Sequence, residues 1–196
     1  MNITNFFEEI RQTHQKCLIT DEDKISCLPT TLIPKKYLET FPKIFYSKSN
    51  GILLHKKLVY DFGENGYWYF DVPNAAIVGE QLELSTITSP FVPEAKNLCL
   101  EREQKVYFPL TSYPYLCIGF LYFLVKNLQM APSKLKFTTK YANILRSLHN
   151  YEQIIKHTMA NVTNILENGD LMEGSDGIMF DAFPTTIMDE IDNLCA

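Results

Sequence analysis

The spacing of apolar and polar residues divides the chain into three regimes. In MNITNFFEEIRQTHQKC, Phe7, Ile10, His14 and Cys17 recur at helical intervals. Asn5 followed by Glu8 has the spacing of a capping box, so a short N-terminal helix is predicted. The polar break TDEDK leads into CLPTTLIPKKYLETFPK, where Pro29, Pro34 and Pro42 leave room for one helical turn near Pro34.

From about residue 43 the pattern changes. KIFYS, ILLHKKLVYDF and YWYFDV are rich in β-branched and aromatic residues, and Asn50-Gly51 and Asn65-Gly66 punctuate them as hairpin turns. QLELSTIT puts Leu82 and Leu84 on one face, and VYFPL at 106–110 adds a last strand whose Pro109 marks an edge. Short turns between neighbouring strands predict a central antiparallel sheet of hairpins over about 43–110. Within it Tyr67-Trp68-Tyr69-Phe70 alternates across a strand. One pair then faces the core and the other solvent or a partner, which makes Trp68 a candidate partner-binding residue.

The third regime is helical. YPYLCIGFLYFLVKNLQM is apolar all round after Pro114, but only eleven residues separate Tyr115 from Val125 inclusive, about 16 Å of helix. A bilayer core asks for roughly 20 apolar residues, so the run predicts a helix over about 115–130 enclosed by protein. A longer amphipathic helix is expected over about 138–168, capped by Thr138 or Thr139 and ended by Gly169. Its stripe is Tyr141, Leu148, Ile155 and Val162, and Lys140, Asn143, Arg146 and Gln153 lie opposite. The fold class is therefore α+β: an N-terminal helix, a central antiparallel sheet and two C-terminal helices in one domain, 1–168, followed by a tail, 169–196.

Charge sharpens the view of that tail. The net charge of −5 lacks the basic balance of a nucleic-acid binder. Seven acidic residues and no Lys or Arg fall in 169–196, which leaves 18 basic against 16 acidic residues before it. The tail also carries apolar residues: Ile178, Phe180 and Phe183 before Pro184, then Ile187 and Ile191 on one side of a short amphipathic helix. Acidic segments of this kind dock on basic, apolar-lined grooves, and these five residues join Trp68 as candidate partner contacts. The alternative is a tail that folds back on its own domain.

Candidate chemistry is sparse. Asp61-Phe62-Gly63 has no companion kinase motif. DFGENGYWYFDV places Gly63 and Val72 where a calcium loop needs oxygen ligands. No GxSxG, Walker A or GxGxxG occurs, and His149 and His157 are eight apart on the long helix instead of four. His14 and Cys17 are spaced so that a thiol–imidazole pair can form, with no orienting third group in view. Five widely spaced cysteines and an N-terminus without a basic, then apolar, leader lead us to expect reduced thiols and a cytoplasmic protein.

These readings favour a non-enzymatic protein-binding adaptor or chaperone, with no cofactor, metal or catalytic residue, that recruits or stabilises other proteins through apolar and acidic surfaces. In size, acidity and lack of motifs the chain resembles the small acidic adaptors of bacterial type IV secretion systems. That resemblance implies a cytoplasmic partner of a coupling ATPase and of effector proteins, and it carries over no individual residue. One competing reading is an enzyme or small-molecule binder with an apolar pocket between sheet and helices, its polar groups drawn from Tyr113, Tyr115, Tyr122 and His149. Another is an acidic inhibitor that mimics nucleic acid, which the hydrophobes between the acids disfavour.

Overall fold

The computed structural model describes residues 2–92 and 104–150, together with Gln153 and Lys156. Its fold is α+β, with strands paired antiparallel around one apolar helix. That helix, Tyr113–Met130, has Pro114 in its first turn and twelve of its residues buried. Among the described residues no helix is long and apolar enough to cross a membrane. An all-round apolar helix needs protein on most sides, and the strands below provide it.

The first helix, α1 (Ile3–Thr13), is capped by Asn2, whose side chain accepts the Asn5 N–H at 2.9 Å. The expected box beginning at Asn5 therefore sits one turn too late. Phe6 and Ile10 are the buried positions of α1, packed with Phe45 in a small cluster apart from the main core.

A strand that the prolines concealed follows: β1 (Cys27–Thr31) pairs with β2 (Gly51–His55), with Pro29 opposite Leu53. Proline is tolerated here because this sheet has only two strands, leaving β1 an unpaired edge for the missing N–H. KIFYS, read as a strand, instead enters α2 (Pro42–Phe45), which starts at a proline in its first turn. Nor is Asn50-Gly51 a hairpin turn, for Gly51 has φ −92° and begins β2. Asn50 is fully buried. Its side chain accepts from Ile33 N at 2.9 Å and donates to Phe45 O at 2.7 Å, while its carbonyl accepts from Leu32 N.

After β2 come a single turn, α3 (Lys56–Val59), and the Asn65-Gly66 turn. Gly66 does take a left-handed φ of 73°, but it closes a tight turn before β3 (Trp68–Phe70) and joins no two neighbouring strands. The two-residue hairpin lies elsewhere. β4 (Ala76–Val78) and β5 (Gln81–Leu84) are joined through Gly79-Glu80, with Gly79 at φ 62°. β6 (Thr86–Thr88) turns away to pair with β3, and β7 (Val106–Pro109) adds to β5 at an edge, as Pro109 predicted. Among the described residues the single sheet expected over 43–110 is thus replaced by two two-stranded sheets and one of three strands. The break falls at Ser85, between β5 and β6, where its carbonyl accepts the Asp71 N–H at 2.9 Å.

Beyond Tyr113–Met130, labelled α4, lie the single turn α5 (Ser133–Lys136) and a helix, α6, described over 139–150 and again at 153 and 156. Thr138 is its cap, the hydroxyl accepting the Tyr141 N–H at 3.1 Å. Tyr141 and Leu148 are buried as the stripe required, Ile144 is buried between them, and Lys140, Asn143 and Arg146 are exposed. The Tyr141 hydroxyl donates to Leu128 O at 2.6 Å and fastens α6 to α4. The remainder of the expected 138–168 helix, the boundary at 168 and the tail lie outside the described residues.

Candidate docking surface

Three strands build a mixed apolar and polar exposed face of the domain. In the register Ala76–Glu83–Tyr107 and Val78–Gln81–Pro109, residues of β4, β5 and β7 share the outer side of the sheet. The inner side carries Leu82, Leu84, Val106 and Phe108, all buried, together with Ile77, which pairs with Leu82 at the sheet edge and stays exposed. That two-residue alternation sets which side chains reach solvent. Centrally, Glu83 accepts from the Tyr107 hydroxyl at 2.8 Å and from the Lys105 ammonium. The hydrogen bond from Lys105, then that from Tyr107, holds the Glu83 carboxyl below its usual value.

Strand β4 differs from its neighbours. All three of its residues are exposed, Ile77 by 57% and Val78 by 50%. Among the described residues nothing pairs with its outer edge. Edge strands are ordinarily guarded by charge or proline, and Ala-Ile-Val has neither. Such an edge offers backbone hydrogen bonds and apolar side chains to an extended segment from another chain.

Trp68, singled out from sequence, falls elsewhere. Trp68 is wholly buried and donates its indole N–H to Leu58 O at 3.2 Å, so it is a core residue and unavailable to a partner. The alternation argument failed because β3 is covered on both faces: Trp68, Tyr69 and Phe70 are each fully enclosed, with Phe62 packed against all three. Ile178, Phe180, Phe183, Ile187 and Ile191 lie outside the described residues.

The four polar groups of the imagined pocket are not brought together. Tyr113 and Tyr115 are buried in the first turn of α4. Tyr122 lies under the Lys36 ammonium at 4.4 Å, and His149 is exposed on α6. A cavity of about 20 Å³ beside α1, lined by Phe6, Glu9, Ile10, Thr13, His14 and Lys48, has room for about one water. The supposed His14–Cys17 pair also separates. The helix ends at Thr13, His14 turns extended, and the Cys17 sulfur instead accepts the His55 backbone N–H at 3.1 Å.

Sequence reasoning missed β4 because three residues are too short a run to register as a strand; its one signal was Gly79 after Ala-Ile-Val. Comparison of the chain with protein-family models, with curated proteins and with solved structures yields no match.

Proposed function

We propose that this protein is a non-enzymatic adaptor or chaperone that holds partner proteins through exposed apolar strand and acidic tail. The observation that carries this reading is the unguarded edge of β4, with Ile77 and Val78 more than a third exposed beside an unpaired backbone. A partner segment that adds there as a fourth strand gains main-chain hydrogen bonds and covers part of Val78 on one face and of Ile77 on the other. The tail supplies a second contact through Ile178, Phe180, Phe183, Ile187 and Ile191, with its acids facing basic residues of the partner. Under the resemblance to type IV secretion adaptors the partners are a cytoplasmic coupling ATPase and effector proteins, and these are the first to co-purify.

Site-specific photocrosslinking in the full chain tests it. A crosslinker at position 78 should capture a defined partner, and one at the exposed Lys134 of α5 should not. Ile77→Lys/Val78→Lys should lower capture at least tenfold while the circular dichroism spectrum is retained. Removal of residues 170–196 should weaken capture further with the domain still folded. Equal capture from positions 78 and 134, or a truncated chain that unfolds, defeats the assignment.

A further inference from the structure

Two cysteines come together in a site that neither helical spacing nor a CxxC motif announces. Cys17 follows α1, and Cys27 opens β1; both are almost fully buried. The exposed segment 20–25 folds over them with Asp21 in a left-handed conformation, φ 58°, its carboxylate on Lys16 at 2.8 Å. This loop brings both residues to one point. Glu22 O accepts the Cys17 N–H at 2.7 Å, and the Cys27 thiol reaches Glu22 O at 3.6 Å and Asp23 O at 3.3 Å.

The β1–β2 register sets His55 opposite Cys27, and the His55 backbone N–H points to the Cys17 sulfur at 3.1 Å. Backbone N–H groups of Ile19 and Thr20 add contacts at 3.4 and 3.3 Å. On the outer side His55 Nε2 lies 3.0 Å from a Glu22 carboxylate oxygen. Among the described residues no group of three His, Cys, Asp or Glu is placed to hold a metal ion, so the pair is not part of a ligand set.

The environments of the two sulfurs differ. Cys17 accepts from three N–H donors, the arrangement that steadies negative charge as it builds on an atom. Cys27 faces two carbonyl oxygens as a donor, and burial pushes its thiol up to about 11.

We propose that Cys17 and Cys27 are a peroxide-responsive thiol pair that closes to a disulfide across the 17–27 loop. The Cys17 sulfur attacks one oxygen of hydrogen peroxide and the O–O bond breaks, leaving a sulfenic acid and releasing water. The Cys27 sulfur then attacks the Cys17 sulfur. The S–S bond forms, the S–O bond breaks, and the departing hydroxide leaves as water with the Cys27 proton. Two thiols are oxidised and one peroxide is reduced to two waters. Opening of the 20–25 segment admits the oxidant, and the product ties the segment after α1 to the first strand.

The full chain, exposed to hydrogen peroxide, alkylated and digested without reductant, should yield a peptide linking Cys17 to Cys27 that dithiothreitol separates. In Cys27→Ser, Cys17 should accumulate as a sulfenic acid that dimedone traps. The proposal is overturned if both residues remain alkylated after peroxide, or if the linked peptides join either one to another cysteine. It is equally overturned if Cys17 is carried to the sulfinic acid in the intact chain. Should Cys27→Ser fail to fold, the peptide map of the unmodified sequence decides alone.

Discussion

A methyl group on Gly119 would stand 2.0 Å from the Tyr69 hydroxyl oxygen and 2.2 Å from the Leu32 carbonyl oxygen. Those two atoms are hydrogen-bonded to each other at 3.0 Å inside the core, so neither can retreat cheaply. Gly119→Ala should gain about 1 kcal/mol of helix propensity. It should lose about 3 kcal/mol to overpacking, which decides the sign. Urea unfolding should show a lower midpoint, and an unchanged or raised one would refute the close approach. Nothing in CIGFLYF tells this glycine from one tolerated in an ordinary apolar helix, because the atoms that crowd it come from β3 and from the segment after β1. Asn50 teaches the same lesson: beside Gly51 it reads as a turn, yet its buried amide joins the segment after β1 to the end of α2.

At the scale of elements, long periodic segments were legible and short ones were not. The apolar run appears as α4, and the cap expected at Thr138 or Thr139 is Thr138. Its hydroxyl satisfies an otherwise orphaned N–H at the start of α6, so Thr138→Ala should cost about 1 kcal/mol. Thr138→Ser should restore most of that loss in the same unfolding measurement, and equal stability of all three proteins would remove the cap from the account. KIFYS failed because a run of three apolar residues fits a buried helical turn as well as a strand, and the proline before them decided for the helix. β1 was missed for the opposite reason: proline argues against a strand unless the strand has a free edge, and only the sheet order reveals one.

Across the whole molecule, the strands and α4 enclose several groups that must stay protonated. Burial raises the Cys27 thiol to about 11 and the Cys117 thiol to about 12, from an ordinary 9.0. Burial likewise raises Tyr69 and Tyr113 above 10.0. The folded state thus holds protons that the unfolded chain releases first. The stability these groups contribute is fully present below pH 9.0 and is lost as pH climbs towards about 12. Urea midpoints should be level from neutral pH to about 9 and then fall steeply; a midpoint that stays flat into that alkaline range would contradict the enclosed arrangement.

By itself the sequence determined the α+β class, the enclosed helix, the face of α6 that packs and the edge position of β7. Each follows from a local periodicity, a cap or a proline. Only tertiary structure decided that the strands form three small sheets, that Trp68 is enclosed on both faces, and that Ala76–Val78 stands open. It also decided that Cys17 and Cys27 converge on the Glu22 carbonyl oxygen and that the Cys17 sulfur takes the His55 backbone N–H. These outcomes depend on which segments distant in the chain come to cover one another, and no local pattern carries that information.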